Sequence, residues 1–135
     1  MKRIILILFF AFSSVLLSCG KPSGEFAFKL PEDKGYKKEA LHQEFNSADE
    51  VSWIYSFSSI RGRVKLGVVL LRKELVWVDV LSYSDYADSE KRRIYGEIKG
   101  LEPGDYRLMI TEINENDQVV LDEIEFYIFN DDDIY

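Results

Sequence analysis

From residue 50 onward, segments rich in β-branched and aromatic residues are interrupted by turn-forming clusters, which is the pattern of successive strands. In several of these segments apolar and polar residues alternate, as in strands with one buried face. The clearest case is EVSWIYSFS, where Val51, Trp53, Tyr55 and Phe57 fall on one face and serines on the other. Side chains point to opposite faces of a strand with a period of two. The segment is therefore predicted to be a half-buried strand with these four residues in the core.

Further strands are predicted at short intervals along the chain. The stretch VKLGVVLLRKELVWVDVLSY favours two strands, 64–71 and 75–82, which form a hairpin around residues 72–74. The polar run 114–117 predicts a turn, and 119–129 then closes a terminal hairpin. The inward face of this last strand is expected to carry Val120, Asp122, Ile124, Phe126 and Ile128.

With a shorter strand at 93–98 and a first strand at 26–30, the chain is predicted to contain about seven strands and to fold as one all-β domain. A two-layer sandwich and a small closed barrel both fit this pattern. Residues 37–45 fit a helical face as well as an irregular edge segment, because Ala40, Leu41, Glu44 and Phe45 follow either spacing.

The stretch GLEPGDYRLMI gives the most specific structural signal. Pro103 and Gly104 predict a turn, since proline fixes φ and glycine accepts positive φ, and Tyr106, Leu108 and Ile110 then alternate inward. The order Leu101, Pro103, Gly104, Tyr106 resembles the tyrosine corner of immunoglobulin-like and fibronectin type III domains. This resemblance implies a single immunoglobulin-like β-sandwich in which the Tyr106 hydroxyl bonds back to the backbone.

The amino terminus has the layout of a secretory signal peptide. Lys2 and Arg3 form a basic start, 4–12 is continuously apolar, and a run of small and aliphatic residues ends at Cys19. The apolar stretch is shorter than the roughly 20 residues that cross a bilayer as a helix. A cleaved signal peptide is therefore favoured over a membrane anchor helix.

Leu16-Leu17-Ser18-Cys19-Gly20 resembles the lipobox of bacterial lipoproteins and is similar to the looser lipoboxes of spirochaetes. The resemblance implies that the Cys19 thiol receives a diacylglycerol, that the bond before it is cut, and that the new terminus is acylated, commonly with palmitate. The predicted organisation is a signal peptide at 1–18, a lipidated cysteine and tether at 19–25, and a sandwich domain at 26–135.

In proteobacterial lipoproteins, an aspartate after the cysteine favours retention in the inner membrane. Gly20 stands at that place here, so the resemblance implies anchoring in the outer membrane, with a periplasmic or a surface face both open.

Charge and cysteine content narrow the classes of partner. The chain has a formal net charge of −7, and removal of Lys2 and Arg3 with the signal peptide would make it −9. Such an acidic chain disfavours nucleic acid as a partner, since the phosphate backbone is bound by clustered lysine and arginine side chains. Cys19 is the one cysteine, so no disulfide or thiolate metal site is expected within the domain.

Catalytic motifs do not stand out. The one histidine, His42, has no serine or aspartate at a recognisable spacing, and it is interpreted as a surface residue. Nucleophile-elbow, zinc-protease and nucleotide-binding loop motifs are absent from the sequence. We therefore predict a protein that is not an enzyme and needs no cofactor.

Two acidic clusters raise the question of calcium, which takes six to eight oxygen ligands. They are Asp85-x-x-Asp88-x-Glu90 and Asp131-Asp132-Asp133. Neither has the spacing of an EF-hand loop, so solvated turns are the favoured interpretation and no metal site is predicted.

The stretch SYSDYADSEKRR is interpreted as a loop after the 75–82 strand, and its Tyr83 and Tyr86 are candidate contact residues together with Asp85 and Asp88. The leading functional hypothesis is a lipid-anchored, non-catalytic envelope lipoprotein that binds an envelope or host protein, or a surface polymer. The alternative is a small-molecule or calcium-binding periplasmic accessory lipoprotein. A structural lipoprotein without a discrete ligand is a third.

Overall fold

The part of the chain that the structure describes forms eight strands in two separate sheets that pack face to face. The computed structural model describes residues 21–38 and 43–134. No helix in these two ranges is long and apolar enough to cross a membrane. In chain order the elements are β1 (Ser23–Lys29), β2 (Gln43–Asn46), β3 (Val51–Ser59), β4 (Val64–Lys73), β5 (Trp77–Ala87), β6 (Arg93–Ile98), β7 (Gly104–Ile113), β8 (Gln118–Phe129) and a short 3-10 helix (Asp131–Ile134).

The two sheets differ in width. The smaller has three strands in the order β1-β3-β6, and the larger has five in the order β2-β8-β7-β4-β5. All neighbouring strands are antiparallel except β2 and β8, which are parallel. Since the two sheets are separate, the sandwich prediction is confirmed and the closed-barrel alternative is wrong.

The core lies between the sheets and is built by the predicted alternation. Val51, Trp53, Tyr55 and Phe57 of β3 are all buried, as are the three inward residues predicted after the corner. Those are Tyr106, Leu108 and Ile110, on β7 of the opposite sheet.

On one side of the sandwich, aromatic rings from the two sheets pack against each other and cover the core. Phe28 of β1 packs against Phe45 of β2 with ring centroids 5.3 Å apart, and Phe45 packs against Phe126 of β8 at 5.8 Å. Tyr106 stacks on the other side of Phe126 at 5.6 Å. The edges formed by β1 and β2 are thus joined by interlocking side chains across the layers.

The amino-terminal boundary differs from the prediction. β1 begins at Ser23, so residues 23–25, which were assigned to a tether at 19–25, belong to the first strand of the sandwich. Gly24 and Glu25 pair with Phe57 and Ser56 of β3.

The segment 37–45 contributes a strand where a helix had been one alternative. Lys37 makes an isolated bridge to Phe28, and Gln43–Asn46 forms β2 against β8. Residues 39–42, with His42, lie outside the described residues. Neither described end of the segment is helical, because each pairs with a neighbouring strand.

Two details of β4 and β8 also differ from the prediction. β4 continues to Lys73 and the hairpin turn falls at 74–76, two residues later than predicted. Val120 is 48% exposed rather than buried, because the β7–β8 register shifts between Ile110 and Thr111 and breaks the period of two there.

Candidate functional site

The residues assigned to a contact loop lie on a strand instead. Tyr83, Asp85 and Tyr86 all belong to β5, which has 11 residues and forms one edge of the five-stranded sheet. The loop prediction for these three residues is therefore wrong. Ser and Asp look turn-forming in sequence, yet an edge strand tolerates polar residues because one of its sides faces solvent. Only Asp88 of the four candidates lies in the connection to β6.

The inner face of β5 is left uncovered by the smaller sheet. Leu81 and Tyr83 pair with the buried Leu70 and Val68 of β4, so their side chains point toward the core layer. They are nonetheless 50% and 39% exposed. Because the facing sheet has three strands against five, β5 extends past it, and its apolar inner face meets solvent.

An apolar crevice of about 220 Å³ opens at this side of the sandwich, between β5 and β6. Leu81, Tyr83 and the exposed Glu97 of β6 form its rim. Its floor is made of buried core residues, namely Trp53, Val68, Leu70, Ile98 and Leu108. On the β1/β2 side, packed aromatic rings cover the core. Among the described residues, no such ring contact covers the core on the β5/β6 side, so a side chain from outside can reach it.

The rim hydroxyl of Tyr83 stays protonated at ordinary pH. Partial burial raises the pKa of Tyr83, and the nearby Asp85 carboxylate raises it further. Tyr83 therefore presents a neutral amphipathic group, apolar along its ring and able to hydrogen-bond at its tip.

The free edge of β5, on the side away from β4, carries backbone groups without a partner strand. The N–H of Tyr86 donates to the neighbouring Asp85 carboxylate at 2.7 Å, which indicates that this N–H faces away from β4. In an antiparallel pair, successive residues alternate between bonding to the partner and facing away. Ser82 and Ser84 therefore present their N–H and C=O groups to the same free edge as Tyr86.

The acidic cluster after β5 is engaged in protein contacts. Asp88 Oδ1 accepts the N–H groups of Lys91 at 2.6 Å and Glu90 at 2.9 Å, which hold the pKa of Asp88 below its usual range. Asp85 forms a 3.0 Å ion pair with Lys91. In the part of the chain that the structure describes, no three Asp, Glu, His or Cys side chains form a group that would hold a metal ion. Asp88 thus closes a turn, and the geometry does not favour calcium there.

The acidic tail makes one cross-contact. Asp131 accepts a 2.7 Å hydrogen bond from the Asn46 side chain, which ties the 3-10 helix to β2. Asp132 is exposed, and the side chain of residue 133 lies outside the described part.

The residues predicted to form the tyrosine corner stabilise the β6–β7 connection. Tyr106 Oη donates to the carbonyl oxygen of Glu102 at 2.6 Å, and the Tyr106 side chain is buried. Leu101 packs against the core, and Gly104 has a φ of 152°, which favours glycine. Pro103 accepts a hydrogen bond from Arg72 through its carbonyl oxygen at 3.2 Å. This group shapes the β6–β7 connection and lies at the opposite end of the strands from Asp88.

Sequence reasoning missed Leu81 and Glu97 as site residues. Leu81 had been placed on a strand, and its alternation with Tyr83 was a usable signal, since two large apolar residues two positions apart share a face. Glu97 joins the site through tertiary packing alone. Cys19, the predicted lipidation residue, lies outside the described residues.

No protein family matches the sequence, and no curated protein matches it either. Two solved structures are similar to it in fold. One is the soluble domain of PmoD from Methylocystis sp. ATCC 49242, with 14% identity, a TM-score of 0.58, and coverage of 82% of this chain and 94% of that one. The other is an immunoglobulin-like protein from Pseudomonas aeruginosa, with 12% identity, a TM-score of 0.49, and coverage of 82% and 98%. The two sheets, their strand order and the similarity to the PmoD domain show a β-sandwich fold. Together with the hydrogen bond of the tyrosine corner at Tyr106, they agree with the predicted immunoglobulin-like sandwich.

Proposed function

We propose that the protein is a lipid-anchored, non-catalytic envelope lipoprotein that binds another protein or a surface polymer at the open edge beside β5. The observation that carries the proposal is the exposure of Leu81 and Tyr83, two inner-face side chains, over an apolar crevice. Immunoglobulin-like folds serve as interaction modules, which supports the class of function by analogy.

The size of the crevice favours a side chain over a free ligand. Sites for small molecules occupy about 300 to 1,000 Å³. An apolar cavity of about 150 Å³ holds one benzene-sized ring. At about 220 Å³ the crevice can accept one large apolar side chain, which is how a macromolecular partner would use it.

The proposed anchor orients this surface. Ser23 opens β1, and its Oγ lies 3.3 Å from Oγ of Ser58 at the end of β3. The connections 60–63 and 88–92 lie at this same end of the strands. A lipid on Cys19, only four residues before Ser23, would bring this end close to the bilayer. The connection at 88–92, with Asp88, would then face the membrane, and β5 would extend away from it. A partner could therefore reach β5 more readily than Asp88.

The anchor is tested by the intact mass and detergent partitioning of the protein expressed in a bacterial host with lipoprotein processing. We expect a mature chain that begins at Cys19, carries acyl mass and enters the detergent phase. Cys19→Ala is expected to lose both properties. An unacylated wild-type chain in the aqueous phase would overturn the anchored part of the proposal and leave the binding part standing.

The binding part is tested by quantitative co-isolation from cell envelopes. The variant Leu81→Ser/Tyr83→Ser changes the rim of the crevice, and Val120→Ser is a matched control because Val120 is 48% exposed on β8. We expect at least one envelope component to be lost with the rim variant and retained with the control. Identical recovery from all three proteins would contradict binding at this edge.

A further inference from the structure

We propose that the partner adds an extended strand to β5, places an apolar side chain in the crevice, and brings a lysine or arginine to the acidic rim. This inference rests on the proposed function and specifies the mode and chemistry of binding. It follows from three separate properties of the same edge: its free backbone groups, its crevice and its charges.

The backbone groups come first. Between the bulge at Val80 and the internally satisfied N–H of Tyr86, Ser82 and Ser84 offer N–H and C=O groups that face away from β4. When a strand is added to a sheet edge, hydrogen bonds to such backbone groups provide affinity. Pockets that accept every second side chain of the added strand provide specificity. Both serine side chains are exposed and point to a face of the sheet, so they do not block an added strand beside the edge.

Natural sheets protect their edges with charges and bulges, and β5 has both, which limits where a strand could pair. The register shifts between Leu70 and Leu71 opposite Val80, and Asp79 and Asp85 stand on either side. The four residues from Leu81 to Ser84 carry no charge and no bulge. The pairing segment is therefore the stretch 81–84, directly beside the crevice rim.

The crevice lies on the inner side of the same stretch. Leu81 and Tyr83 form part of its rim. A strand added beside β5 would widen the sheet by one strand and extend its inner face over the crevice. An apolar residue of that strand at the level of these two side chains would enter the crevice over Trp53. Its neighbours in sequence would point to the outer face, which predicts an alternating motif.

Charge selects the partner. Within the described residues, the Asp79 side chain makes no ion pair or hydrogen bond, and the Glu97 side chain on the rim forms an exposed 3.3 Å ion pair with Lys99. Two carboxylates flanking an apolar segment favour a partner strand with lysine or arginine.

A second copy of this chain fits the edge poorly. Self-pairing would bring two copies of Asp79 and Asp85, the acidic residues that flank the segment, into one interface, where like charges destabilise a sheet. Two chains of net charge −7 also repel each other. We therefore assign the edge to a strand from a different protein.

The test uses a phage-displayed library of random 12-residue peptides, selected on the intact chain and counter-selected on Leu81→Ser. We expect the selected peptides to share an apolar residue, alternate polar positions and at least one lysine or arginine. The best peptide is then synthesised, and amide hydrogen exchange is measured by NMR with and without it. Exchange at Ser82 and Ser84 is expected to slow at least about 10-fold, while exchange at Glu44 on the β2 edge stays unchanged.

Two variants separate backbone pairing from crevice binding. Ser84→Pro removes an edge N–H that makes no bond to β4 and is expected to weaken the peptide at least about 10-fold, whereas Ser84→Ala keeps the N–H and binds as the wild type does. A Leu81-dependent peptide that leaves exchange at Ser82 and Ser84 unchanged would overturn strand addition and leave the proposed function intact. A library without Leu81-dependent binders, or a concentration-dependent dimer protected at these two amides, would also overturn the inference.

Discussion

Tyr55 and Asp122 join the two sheets through a hydrogen bond in which Tyr55 Oη donates to Asp122 Oδ2 at 3.2 Å. Tyr55 is a buried residue of β3, and Asp122 is a half-buried residue of β8 in the opposite sheet. Burial raises the pKa of Tyr55, and the negative charge of Asp122 raises it further. The contact explains why an aspartate occupies the inward face of β8, where an apolar residue is expected.

Removal of this hydroxyl should destabilise the fold measurably. Tyr55→Phe keeps the ring, which packs edge-on against Phe26 at 4.8 Å, but leaves Asp122 without its cross-sheet donor. We expect a loss of about 1.5 kcal/mol in the free energy of unfolding, as for hydrogen bonds to charged groups. Urea denaturation measures it. Tyr95→Phe, at a residue 68% exposed, should change little, and equal effects in both variants would contradict the prediction.

The same pair predicts a loss of stability at alkaline pH. An unfolded tyrosine has a pKa of about 10. Since the folded pKa of Tyr55 is higher, the hydroxyl contributes its full stabilisation below about pH 10 and loses it as the pH rises above that value. The free energy of unfolding should therefore fall more steeply between pH 10 and 11 in the wild type than in Tyr55→Phe. Parallel curves for the two proteins would contradict this.

Tyr106 supports a different part of the fold. Its hydroxyl donates to the carbonyl oxygen of Glu102 within the β6–β7 connection. Tyr106→Phe should lower the free energy of unfolding by about 1 kcal/mol, since the part-buried hydrogen bond to the Glu102 carbonyl is lost. Guanidinium denaturation measures this loss, and hydrogen exchange at the Glu102 and Gly104 amides should accelerate. An unchanged midpoint would show that water replaces the bond without loss.

Gly96 is required by close packing under the crevice. A Cβ on Gly96 would lie 2.8 Å from Nε1 of Trp53, closer than such atoms approach. Gly96→Ala should therefore displace Trp53, cost about 1 to 3 kcal/mol and shift the tryptophan fluorescence. Gly35→Ala is the control, because no atom lies within 4 Å of its added Cβ. A stable Gly96→Ala with unchanged emission would contradict the packing.

The sheet architecture could be read from the sequence where alternation is strict. Val51, Trp53, Tyr55 and Phe57 were assigned to the core and are buried, and the inward residues after Pro103 follow the same rule. β2 could not be found this way, because its four residues become a strand only through parallel pairing with β8, a tertiary contact.

The candidate site was predictable only in part. Tyr83 was selected as an aromatic residue outside the evident core, and it is 39% exposed, but it lies on a strand and not in the predicted loop. Its serine and aspartate neighbours have the composition of a turn, while the pairing of β5 with β4 determines the strand. Exposure of Leu81 depends on the unequal width of the two sheets, which the local sequence does not encode.

The most direct test of the account is site-specific photocrosslinking in living cells. A benzoylphenylalanine is placed at Leu81 in one protein and at Val120 in a second, two positions of similar exposure at 50% and 48%. We predict a discrete adduct with a second envelope component from position 81 alone, and its loss when Tyr83→Ser is added. An adduct of equal yield from both positions, or none from position 81, would contradict the claim that the open edge beside β5 is the binding surface.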